Sequence, residues 1–335
     1  MLEVRLGRTG IVAHKNAFGA LPVQRVTKEE AKVILRKAFD HGVNFFDSAR
    51  AYSDSEEKIG LALSDVRDQI FISTKTMATD VDHFWEDLHE SLRLLKTDYI
   101  DIYQFHNPSF VPKPNDGTGL YEAMLEAKEK GMIHYIGITN HRYTVAKEAI
   151  ESGLYDTLQF PFSYLASSQD QELVEMCKAN NVGFICMKAL AGGLINKSDV
   201  AYAYLETFDN ALPIWGIQKE SELDEFLSYN ENPPHMTPEI EAIIAHDRKE
   251  LAGDFCRGCG YCMPCPQGIV INQCARMSLM IRRAPSDGWL SEKWQKEMKK
   301  IETCLHCGKC KAHCPYGLDT PALLEKNYED YKTFL

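Results

Sequence analysis

Apolar and polar positions alternate between two periods along the first 230 residues of the chain. Segments such as "KEEAKVILRKAFDHG" (28–42) place apolar residues three and four positions apart and end on a glycine, which predicts amphipathic helices. Short runs such as "VNFFD" and "QIFIST" are apolar on both faces and predict buried strands. With "NAFGAL" as the first strand and "ALPIWGI" as the last, the pattern predicts eight strands, each followed by a helix.

Buried strands separated by helices predict a parallel sheet, and eight such units predict a closed α/β structure, the (β/α)8 TIM barrel. An open doubly wound sheet is the alternative, but it normally shows a G-x-G-x-x-G phosphate loop after an early strand, and the sequence has none. The alternation stops at "YNENPPHMTPE" (229–239), which is typical of a linker. We therefore predict a barrel domain over 1–235 and a second domain over 236–335 that begins with a linker helix.

Four side chains of complementary chemistry follow three consecutive predicted strands. Asp47 follows "NFF", Tyr52 lies in the next loop, Lys75 follows "FIST" and His106 follows "DIYQF". Catalytic groups of such barrels lie at the C-terminal ends of the strands. In this set Tyr52 can donate a proton to a carbonyl oxygen, with its pKa lowered from about 10 by the Lys75 charge. Asp47 would hold Lys75, and His106 would orient the carbonyl.

The motifs around these residues resemble the aldo-keto reductases. The segments "GVNFFDSARAYSDSEEKIGLAL", "ISTKT", "QFHNP", "GITNH" and "LQFPFSYL" carry the resemblance, which covers roughly residues 1–230. It implies a catalytic tetrad of Asp47, Tyr52, Lys75 and His106. The opening "LGRTGIVAHKNAFGAL" is similar to the N-terminal hairpin that closes the bottom of the barrel in that family.

The resemblance also implies a nicotinamide cofactor, NADPH or NADH, bound across the barrel mouth. Thr139, Asn140 and Gln159 match the positions that hold the nicotinamide carboxamide. Gly216, Gln218 and Lys219 match the phosphate-binding stretch after the last strand, and Lys219 favours NADPH. Met187 stands where many members of the family place an aromatic ring against the nicotinamide.

Nine of the eleven cysteines lie at or beyond residue 256, eight of them in two compact runs and Cys274 between the runs. The second run, "CLHCGKCKAHCP", matches the C-x2-C-x2-C-x3-C-P spacing of bacterial ferredoxins, and the first departs from it only in the last gap. Zinc is the alternative, but zinc sites usually pair two separated C-x2-C hooks. The sequence therefore predicts two [4Fe-4S] clusters in a small α-helical, ferredoxin-like domain. The predicted ligands are Cys256, Cys259, Cys262, Cys265, Cys304, Cys307, Cys310 and Cys314.

In two-cluster ferredoxins the fourth cysteine of each run serves the other cluster. This rule would group Cys256, Cys259 and Cys262 with Cys314, and Cys304, Cys307 and Cys310 with Cys265. The shortened gap before Cys265 leaves Cys274 as an alternative ligand, although a buried thiol is the other interpretation of Cys274.

The charge distribution and the absence of long apolar runs bear on two kinds of partner, nucleic acids and membranes. The net charge is −11, but residues 251–335 carry 12 basic and 9 acidic side chains, so the acidic excess lies in the first 250 residues. This balance argues against a nucleic acid as a partner. No apolar run reaches the length of a membrane span, and the N-terminus lacks the apolar region of a signal peptide. We therefore expect a cytoplasmic protein.

The main hypothesis is an NADPH-dependent oxidoreductase that interconverts a small-molecule carbonyl and an alcohol, fused to a two-cluster electron-transfer module. A second hypothesis is an iron-sulfur protein that passes single electrons between a ferredoxin-type redox partner and a substrate in the barrel. A third is a non-catalytic, nucleotide-binding redox sensor. A hydride carries two electrons and a cluster transfers one at a time. No flavin motif is visible, although barrels can bind flavin mononucleotide without one.

Overall fold

The computed structural model describes residues 2–251, 255–283 and 288–335. The chain divides into two compact units. The first contains residues 1–189 and 202–236, and the second contains residues 190–201 and 237–335.

Eight parallel strands form a closed barrel in the first unit, as the hydrophobic pattern predicts. The barrel closes where the last strand pairs with the first, with Ile214 opposite Ala17 and Gly216 opposite Gly19. The strands are β3 (Ala17–Gly19), β4 (Phe45–Asp47), β5 (Phe71–Thr76), β6 (Ile100–His106), β7 (Ile133–Thr139), β8 (Thr157–Pro161), β9 (Gly183–Met187) and β10 (Ala211–Gly216). Because all eight run in the same direction, their C-terminal ends lie at one rim of the barrel.

A helix follows each barrel strand, which confirms the predicted alternation. The helices are α1 (Lys28–Asp40), α2 (Ser55–Leu63), α3 (Val81–Leu95), α4 (Leu120–Glu129), α5 (Tyr143–Ser152), α6 (Ser168–Ala179), α7 (Ser198–Glu206) and α8 (Glu220–Ser228). Local sequence sets their starts: Thr27 and Glu30 form a reciprocal capping box at α1, and Ser167 and Asp170 form one at α6.

An antiparallel hairpin precedes the barrel. Its strands, β1 (Glu3–Arg5) and β2 (Val12–His14), pair with Val4 opposite Ala13. Gly7 forms an isolated bridge with Val182, which directly precedes β9. A Cβ at Gly7 would lie 2.5 Å from the Asn181 carbonyl oxygen, and Gly7 has a φ of +48°. Only glycine fits this position without strain, and it fastens the hairpin at the N-terminal end of β9.

The described part of the second unit contains helices and no strand. Its helices beyond the barrel are α9 (Pro238–Glu250), α10 (Ile271–Cys274), α11 (Met277–Arg283), α12 (Glu292–Lys299), α13 (Lys309–Ala312) and α14 (Thr320–Lys332). A small core that includes Ile269, Met298, Leu324 and Tyr331 contains residues of α10 to α14. Among the described residues, no helix is long and apolar enough to cross a membrane.

Candidate active site and cysteine clusters

The predicted catalytic residues meet at the C-terminal rim of the barrel. Asp47 ends β4, Lys75 is the penultimate residue of β5, and His106 ends β6. Because β4, β5 and β6 are neighbours in the barrel, their ends bring these side chains together. Tyr52 lies in the loop between β4 and α2.

Asp47 and Lys75 form a buried ion pair. The Lys75 Nζ lies 2.7 Å from Asp47 Oδ2, and the two residues are 1% and 2% exposed. Lys75 Nζ also donates to the Ser48 carbonyl oxygen. Burial raises the pKa of the Asp47 carboxyl and lowers the pKa of the Lys75 ammonium, while each partner opposes the shift of the other. The pair therefore places the Lys75 ammonium group, beside its carboxylate partner, in a dry environment where electrostatic interactions are strong.

The loop after β4 fixes Tyr52 above this charge. The Tyr52 amide donates to the Ala49 carbonyl at 2.9 Å, and the Arg50 amide donates to the Lys75 carbonyl at 2.9 Å. Lys75 Nζ lies 5.3 Å from the centroid of the Tyr52 ring, within cation–π range. The ammonium group is therefore close enough to stabilise negative charge on the phenol.

His106 contacts Tyr52 and is neutral. Their ring centroids are 5.8 Å apart at an interplanar angle of 85°. Burial, together with the smaller effects of the Lys75 and Lys188 charges, lowers the pKa of His106 to about 3. His106 Nδ1 is buried without a hydrogen-bond partner among the described residues. A neutral imidazole at this point can orient a polar substrate atom without supplying a charge.

Three residues with left-handed backbone follow residues of the predicted site. Ser53 (φ +40°) follows Tyr52, Asn107 (φ +56°) follows His106, and Lys188 (φ +57°) follows Met187. Such conformations are unfavourable for residues with a side chain and are concentrated at functional sites.

Three of the predicted nicotinamide-binding residues are buried and engaged in polar contacts. Gln159 Nε2 donates to Asp47 Oδ2 at 3.3 Å, and Gln159 Oε1 accepts from Gln104 at 2.8 Å. Asn140 Nδ2 donates to the Pro108 carbonyl at 2.8 Å. Thr139 Oγ1 lies 3.8 Å from the sulfur of Met187. The structure therefore brings Thr139 and Met187 together and links Gln159 to the Asp47–Lys75 pair.

The predicted phosphate-binding stretch contains a carboxylate that sequence reasoning missed. Glu222 Oε2 accepts hydrogen bonds from the amides of Gln218 at 2.9 Å and of Lys219 at 3.1 Å. The carboxylate thus occupies the N-terminus of α8, where the helix dipole stabilises negative charge. Gly216 is exposed directly before this stretch. The signal was the spacing Lys219-x-x-Glu222, which places an acidic residue at the third position of the helix.

The first cysteine run and the end of the second lie close together. The pKa of Cys256 is raised, mainly by burial, and the charges of Cys259 and Cys314 contribute in the same direction. The Arg257 guanidinium carbon lies 4.6 Å from the centroid of the Tyr316 ring, two residues after Cys314. Cys314, the last cysteine of the second run, therefore lies near the cysteines of the first run.

One cavity of the second unit is lined by Cys265 together with Cys304, Cys307 and Cys310. Cys262 also lines it. Thiol groups of both runs therefore lie around one cavity, and the division of the eight cysteines between two clusters stays a prediction. No three His, Cys, Asp or Glu side chains of the described ranges are placed to bind a single metal ion.

Cys274 is buried in the same small core as Cys256 and Cys310, whereas Cys177 and Cys186 belong to the barrel unit. Burial raises the pKa of Cys274 to about 12, and its charged neighbours are Glu297 and Lys300. Cys177 and Cys186 are fully buried, and burial raises the pKa of both thiols.

Comparisons with known proteins agree with this architecture. Residues 16–211 match the model of the aldo/keto reductase family, and residues 255–319 match that of the 4Fe-4S dicluster domain. The chain is 31% identical over 210 residues to methylglyoxal reductase DkgB of Salmonella typhi. This match covers 59% of this chain and 75% of that protein.

Two solved structures share the fold. Aldo-keto reductase AKR11C1 from Bacillus halodurans, in its holo form, matches with a TM-score of 0.64 and 21% identity, over 74% of this chain and 96% of that one. An aldo-keto reductase from Klebsiella pneumoniae in complex with NADPH matches with a TM-score of 0.63 and 19% identity, over 73% and 94% of the two chains. The closed barrel and the matched family models show that this chain belongs to the aldo/keto reductase family and carries a 4Fe-4S dicluster domain after the barrel.

Proposed function

We propose that this oxidoreductase interconverts a small-molecule carbonyl and an alcohol by hydride transfer from NADPH, with Tyr52 as the general acid or base. The observation that carries the proposal is the convergence of Tyr52, His106 and the buried Asp47–Lys75 pair at one rim of the barrel. NADPH, when bound, supplies the hydride; the four side chains supply the proton and orient the carbonyl.

Tyr52 donates its phenolic proton to the carbonyl oxygen when the carbonyl is reduced. The phenolate that remains is stabilised by the Lys75 ammonium, which lies 5.3 Å from the ring centroid. Asp47 keeps the ammonium in place through its 2.7 Å contact. In the opposite direction the phenolate accepts the proton of the alcohol.

His106 fixes the carbonyl oxygen near Tyr52. Because its pKa is about 3, the imidazole is neutral at physiological pH and cannot be the proton source. It contributes a hydrogen bond and a packing surface at the edge of the Tyr52 ring.

The cofactor assignment rests on the family and on position. The Klebsiella relative is described in complex with NADPH. In this chain, Thr139, Asn140, Gln159 and Met187 would border the nicotinamide, and Gly216, Gln218 and Lys219 would border the phosphates. Glu222 lies among the phosphate-binding positions and would repel a phosphate group there.

The cysteines would hold two [4Fe-4S] clusters, which supply one-electron transfer when bound. The first cluster would be bound by Cys256, Cys259, Cys262 and Cys314, and the second by Cys304, Cys307, Cys310 and Cys265. The interactions of Cys256 with Cys259 and Cys314 and the shared cavity of the second set support this grouping.

The test is the variant Tyr52→Phe in anaerobically purified protein. NADPH oxidation is followed with a panel of small aldehydes and ketones that begins with methylglyoxal, because a relative carries that substrate in its name. We expect Tyr52→Phe to lose turnover and to keep NADPH binding, measured by quenching of protein fluorescence. Tyr143→Phe is the matched control, because the Tyr143 hydroxyl bonds to Glu172 at the protein surface. Undiminished turnover in Tyr52→Phe would refute the proposal.

A second candidate function is the exchange of single electrons with a redox partner protein. It is favoured by the exposure of Cys307 and of its neighbour Leu305, which is 62% exposed. Reduced ferredoxin would then support product formation without NADPH, and this experiment separates the two functions.

A further inference from the structure

Arg276 is a buried cation inside the cysteine-rich unit. It lies between α10 and α11 and is only 6% exposed, although arginine is rarely buried without a partner. Its Nη1 donates to the Gly192 carbonyl at 2.8 Å, and its Nη2 donates to Gln273 Oε1 at 3.1 Å. Its Nε is buried and has no hydrogen-bond acceptor among the described residues. A buried N–H without an acceptor is costly, which indicates a missing acceptor at this point.

The guanidinium packs against the first cysteine run. A Cβ at Gly258, between Cys256 and Cys259, would lie 2.6 Å from the guanidinium carbon, so the side chain touches the backbone of this loop. Burial lowers the pKa of Arg276, and the charges of Cys256 and Cys259 oppose that shift. In turn, the charge of Arg276 opposes the rise that burial causes in the pKa of Cys256.

The second group of thiols lacks such a cation in the part of the chain that the structure describes. Arg276 is the only buried lysine or arginine among the described side chains of the second unit. Lys309 is exposed, and Lys311 is exposed and paired with Asp319 at 2.8 Å. The positive charge around the two groups is therefore unequal.

We propose that Arg276 raises the reduction potential of the first cluster selectively, through its fixed charge and through a hydrogen bond from Nε to a sulfur atom. Reduction adds one negative charge to a cluster, and a nearby cation in a low-dielectric environment stabilises the reduced form. Hydrogen bonds to the sulfur atoms raise the potential in the same direction. Electrons that enter at the exposed second cluster would then pass to the first.

The proposal rests on the two-cluster assignment of the proposed function. The test is a potentiometric titration with dithionite of the full-length, two-cluster protein, followed by electron paramagnetic resonance. Arg276→Gln removes the charge, and Gln273→Glu places a carboxylate against the guanidinium while the arginine stays in place. Lys309→Gln is the matched control, because it removes an exposed charge beside the second group. Iron content is measured in every variant.

We expect Arg276→Gln to weaken electron uptake by one cluster at least tenfold, which corresponds to about 59 mV for one electron. Gln273→Glu should move the same cluster in the same direction, and Lys309→Gln should leave that cluster unchanged. If Arg276→Gln loses iron, the titration of Gln273→Glu decides the question. Unchanged potentials in an iron-replete variant, or equal shifts of both clusters, would overturn the role of Arg276. Wild-type protein that binds no iron would instead refute the two-cluster assignment.

Discussion

The substitution Lys75→Met tests whether the buried ion pair serves the reaction or the fold. It removes the ammonium and keeps an unbranched side chain of similar length. Asp47 would then keep two long hydrogen bonds, from Gln159 at 3.3 Å and from Gln104 at 3.5 Å, and its interaction with the Ser73 side chain. These distances lie beyond the optimum for an N–H···O bond, so they compensate little for the lost charge.

Removal of one partner from a buried pair costs about 3–5 kcal/mol, and we expect a loss of about 4 kcal/mol in the free energy of unfolding because Asp47 is 2% exposed. The double variant Asp47→Asn, Lys75→Met removes both charges and should regain at least about 2 kcal/mol, since a neutral pair has no unpaired buried charge. Both variants should be inactive, because both lack the ammonium that is proposed to stabilise the Tyr52 phenolate.

Urea unfolding in anaerobic buffer, followed by circular dichroism, measures the stability, and NADPH oxidation measures the turnover. Lys113→Met is the matched control; Lys113 forms an exposed pair with Glu148 and should change stability by less than about 1 kcal/mol. Burial raises the pKa of Asp47 in the folded protein above its value in the unfolded chain. The loss of stability caused by the buried carboxylate is therefore absent below the unfolded-state pKa and grows as the pH rises toward the folded-state pKa. The difference in the free energy of unfolding between the wild-type protein and Lys75→Met should therefore become smaller as the pH falls. A double variant that regained turnover would refute the proposed role of Lys75.

Three further predictions concern the cofactor, the clusters and the pH profile. Glu222→Gln should tighten NADPH binding about fivefold in a fluorescence titration, because about 1 kcal/mol of repulsion at the helix N-terminus is removed; unchanged affinity would place the phosphates elsewhere. Cys265→Ser and Cys314→Ser should each lower the iron content and change different electron paramagnetic resonance signals, whereas Cys274→Ser should keep all the iron; iron loss in Cys274→Ser alone would reverse the assignment. Because the pKa of His106 is about 3, initial rates from about pH 5 to 8 should show no inflection due to His106. An inflection near 6.5 that disappears in His106→Gln would contradict its neutral state.

The barrel was predictable because its signal is local and repeated. The helical period of 28–40 and the apolar run that ends at Asp47 each follow from a few neighbouring residues. Parallel strands then place Asp47, Lys75 and His106 at one rim without any further information. The sequence therefore predicts both the fold and the position of the candidate site.

Other features were hidden because they depend on contacts between distant segments. Nothing in the sequence around Arg276 indicates that its guanidinium packs against Gly258 and bonds to the Gly192 carbonyl, 84 residues away. Lys188 was missed because its effect on His106 arises only when the ends of β6 and β9 share the rim. Glu222 lay within the segment that resembles a phosphate site, but its hydrogen bonds to the amides of that segment are visible only in the structure.

The most direct test of the central claim is the transfer of deuterium from NADPH labelled at both C4 positions. The best carbonyl substrate of the panel is reduced by the wild-type protein in unlabelled water, and the alcohol is analysed by mass spectrometry. Hydride transfer at the Tyr52 site predicts one deuterium on the carbinol carbon of each product molecule, and no labelled product from Tyr52→Phe. Alcohol that forms without deuterium would mean that no hydride passes directly from NADPH to the carbonyl carbon, and it would contradict the proposed reaction.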